Sequence, residues 1–189
     1  MEHRYRAVVL GGSAGGTVAL IRILAALPAG YALPVLVVQH LHPLQAGPAI
    51  RSFRPGCKLE VREAEEKEAI VPGFVYYAPA NYHLLVEEDG TFALSIDSRV
   101  HFTRPSIDVL FESAADAYGP DLVGVILSGA NGDGASGLQC IKARGGLAVV
   151  QDPASAEAPF MPRAAMEAGP VDHVLAPAEI GRLLAELGL

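Results

Sequence analysis

Three residues of this chain have types and surroundings suited to acyl transfer. Ser13 lies in Val8-Val9-Leu10-Gly11-Gly12-Ser13-Ala14-Gly15-Gly16-Thr17, an apolar run that ends in four glycines around one serine. His40 closes the run Val35-Leu36-Val37-Val38-Gln39-His40, and Asp133 follows Val125-Ile126-Leu127-Ser128-Gly129-Ala130-Asn131-Gly132. A serine hydroxyl becomes nucleophilic at neutral pH only beside a base, and an imidazole base needs a carboxylate to fix its tautomer. Gly11-Gly12-Ser13-Ala14-Gly15 satisfies GxSxG, a pattern whose context is a sharp strand-to-helix turn. Glycines suit that turn because its backbone is strained and the serine must clear its neighbours. A helix starting near Thr17 would aim its first amides, and the positive end of its dipole, at a developing oxyanion.

The same glycines could instead cradle a phosphate. A Walker A loop requires a lysine after the glycines, and none follows here. A Rossmann loop requires GxGxxG, but its third position is Ser13, and the second strand ends in Gln39-His40 where a ribose-binding acid belongs. Both phosphate signatures fail at diagnostic positions.

The elements that must position the three residues are legible as runs. Ala7–Leu10, Val35–Val38, Leu122–Leu127 and Leu147–Val150 are apolar without alternation, which predicts strands of a parallel sheet covered on both faces. Thr17–Leu27, Ser106–Tyr118 and Pro177–Leu187 carry apolar residues at helical spacing. Ser106 reads as the cap of its helix rather than as a second nucleophile. Phe74–Tyr77, Leu84–Val86 and Phe92–Ile96 read as antiparallel strands, the last two joined through Glu88-Asp89-Gly90. The charged run Arg62–Glu68 reads as a solvated loop or helix face. The expected fold is therefore α/β, a three-layer α/β/α domain with a mostly parallel sheet and an antiparallel β-hairpin insertion. In such sheets sites form outside the carboxyl ends of the strands, where Ser13, His40 and Asp133 all fall. Their order along the chain, Ser-His-Asp, differs from the Ser-acid-His order of α/β-hydrolases.

Composition sets the outer limits. The 189 residues are 51% hydrophobic and 19% charged, enough for one globular domain with a buried core. The net charge of -7 argues against a nucleic-acid surface. Cys57 and Cys140 form no CxxC pair, so neither a disulfide framework nor a zinc knuckle is expected. No signal peptide and no apolar run of membrane-spanning length is visible, which makes the cytoplasm the expected compartment. His40 and His42 would share one face of a strand, but no third ligand accompanies them and no metal is expected.

Longer blocks carry a resemblance. Leu10–Gly16 (LGGSAGG), Val37–Pro43 (VVQHLHP), Pro72–His83 (PGFVYYAPANYH), Thr103–Phe111 (TRPSIDVLF), Ile126–Leu138 (ILSGANGDGASGL) and Met161–Ala165 (MPRAA) resemble, in this order, the catalytic domain of the chemotaxis receptor methylesterases, the CheB family. The likeness runs nearly end to end and implies a single catalytic domain over residues 1–189. It implies hydrolysis of glutamyl methyl esters on methyl-accepting chemoreceptors, with deamidation of certain receptor glutamines and no cofactor. Ser13 would be the nucleophile, His40 the base and Asp133 the orienting acid. The oxyanion hole would be formed by the backbone amides of Ala14 and Ala130. Where the family commonly has threonine after the nucleophile, this chain has Ala14, and the loop before the acid reads Asn131-Gly132-Asp133 rather than the usual GND pattern.

Further residues of these blocks are candidates for the substrate cleft. His83 follows an Ala-Pro-Ala-Asn turn and sits near the site or on the surface. Arg104 anchors an acidic group or pairs with Asp108. Met161 and Arg163 line the cleft, or Met161 packs in the core. With Met1 a few residues before the first strand, no receiver domain is expected in cis. Control is then expected in trans, from a separate response regulator or chemosensory protein. The rival reading is a non-catalytic binding module of a chemosensory complex.

Overall fold

Branched apolar runs without alternation become the inner strands of one parallel sheet. The computed structural model describes residues 5–40 and 56–188. Its strands are β1 (Ala7–Gly12), β2 (Val35–Gln39), β3 (Glu60–Glu63), β4 (Phe74–Tyr77), β5 (His83–Val86), β6 (Phe92–Ser95), β7 (Leu122–Ile126), β8 (Leu147–Gln151) and β9 (His173–Leu175). Seven of them form a sheet in the order β3-β4-β2-β1-β7-β8-β9, with every pairing parallel. The inner strands β1, β2 and β7 are buried along their whole length. Strands β5 and β6 pair antiparallel as a separate hairpin.

Helices cover both faces. One face carries α1 (Gly16–Ala26) and a C-terminal helix, α5 (Pro177–Leu187), over Val8, Leu10, Val35, Val37, Val123 and Val125. The other carries α2 (Ile107–Tyr118), α3 (Ala135–Ala143), α4 (Phe160–Ala168) and the hairpin, over Ala7, Val9, Leu36, Val38 and Ile126. The expected three-layer α/β/α architecture with a hairpin insertion holds. Among the described residues, no helix is long and apolar enough to cross a membrane.

One local reading needs correction, and two points complete the picture. Phe74–Tyr77 is not antiparallel; it is β4, paired parallel with both β2 and β3. Two parallel neighbours in the main sheet take that strand. The run Arg62–Glu68 begins as the end of edge strand β3, where Arg62 stacks 4.1 Å over the Phe74 ring and pairs with Glu68. Helices α3 and α4, with strand β9, add elements that the apolar runs do not announce.

Two close approaches bring α2 to the sheet edge. A Cβ built on Gly11 would collide with the Ile107 side chain at the first residue of α2. A Cβ on Gly137 of α3 would lie 2.6 Å from Phe111 Cβ and 3.1 Å from the backbone of Asp108. The amino end of α2 is thereby set against the carboxyl ends of β1 and β7. The strand order reverses between β1 and β7, the place where open α/β sheets bind ligands.

Candidate active site

Strand register and alternation place Ser13 and His40 together. Gly12 of β1 is paired with Gln39 of β2, so Ser13 and His40 are the next residues of neighbouring strands. The His40 backbone N–H donates to the Gly12 carbonyl (3.0 Å). Leu36 and Val38 face the α2 side, and His40 continues their alternation. Ala7 and Val9 face the same side, and carrying the count through Gly11 assigns Ser13 to it as well. Gln39 faces the opposite side with Val35 and Val37.

Asp133 meets His40 on that α2 side. His40 Nε2–H donates to Asp133 Oδ2 at 2.8 Å. Nδ1 is therefore the ring nitrogen left with a lone pair, and it is buried without a partner among the described residues. The Asp133 side chain is wholly buried. Oδ2 also accepts from the Ile107 N–H (2.7 Å), while Oδ1 accepts from Ser106 Oγ (2.8 Å) and the Asp108 N–H (3.0 Å). Thr103 Oγ1 lies 3.4 Å from Oδ2. Burial pushes the Asp133 pKa up, but the His40 hydrogen bond and the Asp108 and Ile107 amides outweigh it, and the carboxyl is held below its ordinary value. These amides open α2, so the positive end of the helix dipole adds to the same effect.

The Ser13 loop exposes one amide and uses up another. The Ser13 N–H donates to the Ser128 carbonyl (2.9 Å), which removes it as an oxyanion donor. The next amide, of exposed Ala14, donates to nothing among the described residues, and neither does that of exposed Ala130. Ser128 ties the two loops together, since its Oγ donates to the Ala14 carbonyl (2.7 Å) and accepts from the Ala158 N–H (2.9 Å). Gly15, at φ 74°, occupies the left-handed turn into α1. A side chain there would strike Glu157 and Ser128. Ser13 itself is half-buried, and its hydroxyl makes no hydrogen bond among the described residues. A serine, a histidine with one open nitrogen, a fixed carboxylate and two unengaged amides are groups that acyl transfer can use.

The family profile of CheB methylesterases matches residues 8–184. The chain belongs to the CheB methylesterase family. A Leptospira interrogans relative, called a putative protein-glutamate methylesterase/protein-glutamine glutaminase, is 52% identical over 97% of this chain and 95% of its own length. An Anaeromyxobacter dehalogenans protein-glutamate methylesterase/protein-glutamine glutaminase is 43% identical, and this chain spans 52% of its length. The crystal structure of the Thermotoga maritima CheB methylesterase catalytic domain superposes with a TM-score of 0.93 at 33% identity, covering 97% of this chain and 98% of that one.

Of this CheB-family chain's candidates for the cleft, His83 and Met161 are buried, Arg104 is half-buried and Arg163 is exposed. His83 is 1% exposed, so it lies neither on a cleft wall nor on the surface. Its Nδ1 accepts from the Ser106 N–H (3.1 Å) and its Nε2–H donates to the Ser98 carbonyl (3.0 Å), which steadies the residue that holds Asp133. Arg104 does not pair with Asp108. Its guanidinium donates to the Ile96 and Asp97 carbonyls (2.6 and 2.9 Å), while His101 pairs with Asp108 (3.0 Å). Met161 is buried and packs on Gly129 rather than lining a cleft. His42 lies outside the described residues. Ligand atoms of His101, Asp108 and Asp133 lie within 4.8 Å of one another, a grouping that could hold a metal ion in principle. Both Asp133 oxygens are already committed to four N–H and O–H donors, so the chemistry of the donor set fits a hydrogen-bond network and not a cation.

Sequence reasoning gives Ser106 half of its role. It caps α2, accepting from the Val109 N–H (3.5 Å), and its hydroxyl proton goes to Asp133. Ser106→Ala is expected to lower stability by about 1 kcal/mol through the lost cap. It should also lower kcat about tenfold, the worth of one hydrogen bond to a charged group. Methanol-release kinetics in the wild-type and Asp133→Asn backgrounds check this. A full tenfold loss in both would mean that Ser106 does not act through Asp133.

Proposed function

We propose that this chain is a serine hydrolase that cleaves glutamyl methyl esters on chemoreceptor proteins and deamidates receptor glutamines. The observation that carries the reading is the His40–Asp133 hydrogen bond through Nε2, which leaves Nδ1 as the base beside a strand-end serine. Family membership and the names of the relatives support the substrate class.

In this mechanism Ser13 Oγ attacks the γ-carbonyl carbon as its proton passes to His40 Nδ1. The carbonyl oxygen becomes an oxyanion between the amides of Ala14 and Ala130. The tetrahedral intermediate collapses, the ester C–O bond breaks, and His40 returns the proton to the leaving methoxide, giving methanol and a glutamyl-serine ester. Water then attacks the acyl carbon with His40 again taking a proton, and glutamate and free Ser13 are released. With glutamine the leaving group is ammonia. Asp133 stays ionised throughout and stabilises the imidazolium, since its four donors disfavour protonation.

Incubation with a receptor fragment carrying isotopically labelled methyl esters tests the reading. Labelled methanol should appear in proportion to receptor carboxylate formed. Correctly folded protein that binds the fragment and releases none would overturn it in favour of a binding module.

A further inference from the structure

We propose that Gln39 is a positioning residue for the oxyanion hole, acting through the peptide unit that joins Ser13 to Ala14. This rests on the proposed serine-hydrolase reading and names a part of the machinery that the Ser-His-Asp arrangement does not include.

Gln39 ends β2, immediately before His40, and is 6% exposed. Its Nε2–H donates to the Ser13 carbonyl at 2.7 Å, and the Gly16 N–H donates to the same oxygen at 2.9 Å. That carbonyl and the Ala14 N–H belong to one peptide group. The group is planar and trans, so its C=O and N–H point in opposite directions. Gripping the oxygen from inside therefore fixes the direction of the N–H toward the exposed side. Donation to a carbonyl also draws electron density through the amide and makes its N–H a stronger donor, the cooperative effect seen along hydrogen-bond chains. Preorganised donors of this kind stabilise a tetrahedral oxyanion without reorganising during the reaction.

The second amide is built alike. The Gly129 carbonyl, in the peptide that carries the Ala130 N–H, accepts from the Met161 N–H at 2.9 Å. Both amides thus have their carbonyls held from behind, that of Gly129 by the Met161 backbone and that of Ser13 by the Gly16 backbone together with the Gln39 side chain. Met161 contributes here through its backbone N–H, which only proline would remove. Gln39 contributes through its side chain and can be tested.

Packing around Gln39 points to function rather than stability. Its Oε1 is buried with no partner among the described residues, which carries a desolvation penalty that an apolar side chain would avoid. A Cβ on Gly12 would lie 2.7 Å from Oε1, and one on Gly16 would lie 2.5 Å away. Two glycines and an unsatisfied acceptor are thus committed to keeping one amide donor under Ser13. Sites that break a local stability rule in this way are where functional constraint is expected.

The test uses Gln39→Met, which keeps the side-chain length without the donor, with Gln39→Leu as a second variant should one fail to fold. Two quantities are read on each folded protein. The first is the Ala14 amide nitrogen resonance in the resting protein, which reports the hydrogen bond to its own peptide carbonyl. The second is kcat and KM for methanol release from methylated receptor. The Ala14 resonance should move while that of Ala130 does not. At the same time kcat should fall about tenfold to a hundredfold with KM little changed, less than or equal to the loss of a whole oxyanion donor. An unmoved Ala14 resonance, or a moved one with wild-type kcat, overturns the inference while leaving the esterase reading intact. A wild-type protein that releases no methanol overturns the esterase reading itself.

Discussion

Ser13→Ala is expected to abolish ester hydrolysis, by about six orders of magnitude in kcat, and to leave the protein folded. The size follows from removing the atom that the proposed mechanism bonds to the substrate; in serine hydrolases such a loss leaves only the residual catalysis of the oxyanion hole and binding. Folding should survive because the Ser13 hydroxyl makes no hydrogen bond among the described residues and the side chain is half-buried. The contacts that hold the loop are made by its backbone, through the Ser13 N–H to Ser128 and the Ser13 carbonyl to Gln39 and Gly16. A phosphonofluoridate should add one mass of probe to the wild-type protein, on Ser13, and none to the variant. Full activity in a folded Ser13→Ala protein would end the mechanism.

His40→Gln and Asp133→Asn should each lower kcat by about 10⁴-fold or more, and the double variant should be little worse than His40→Gln alone. Residues that act as a unit lose their function once. Asp133→Asn is the more informative of the two. The carboxylate accepts from His40 and Ile107 on one oxygen and from Ser106 and Asp108 on the other. An amide nitrogen at either position faces two donors, so the variant loses either the His40 tautomer or the anchor of α2. Stability should carry a matching signature. The Asp133 pKa is depressed in the folded protein, so it contributes stability that is present above the unfolded carboxylate value of about 3.9 and is lost as pH falls through the folded value. Denaturation midpoints followed downward from pH 6 should drop less steeply for Asp133→Asn than for the wild type. Parallel curves, or additive losses in the double variant, would show that Asp133 serves another purpose.

Much of the site could be read from residue types because strand geometry is periodic. The inner strands are apolar on both faces, so a polar residue at the carboxyl end of one is visible, and Ser13, His40 and the Asp133 loop all follow such ends. The first turn of α2 was legible in part, through Ser106 as a cap. Its grip on Asp133 was not, because backbone amides of Ile107 and Asp108 carry no sequence signature. Gln39 was visible only as the absence of a ribose-binding acid. The signal that finds it is physical: a glutamine on the alternate face of a fully buried strand must bond to something inside. His83 misled for the opposite reason. A histidine after a turn suggests exposure, yet Ser98 and Ser106 satisfy both its nitrogens and allow it to be buried. The pairing of strand β4 is not legible in its sequence, because four residues without alternation, close to a hairpin, do not state which neighbour they pair with.

Because Gln39 and His40 occupy opposite faces of one strand, the site has a parity. Val35, Val37 and Gln39 belong to one layer of the protein, and Leu36, Val38 and His40 to the other. Swapping one branched apolar residue for another within Val35–Val38 alters volume and leaves that parity alone. Removing a single residue there would turn the imidazole toward α1 and the amide toward Asp133, with every remaining side chain chemically unchanged. Removing two would restore the faces but draw the strand end back by about 7 Å, away from Ser13. The segment should therefore be permissive in a substitution scan and closed to any change of length, although all four of its residues are buried in the sheet.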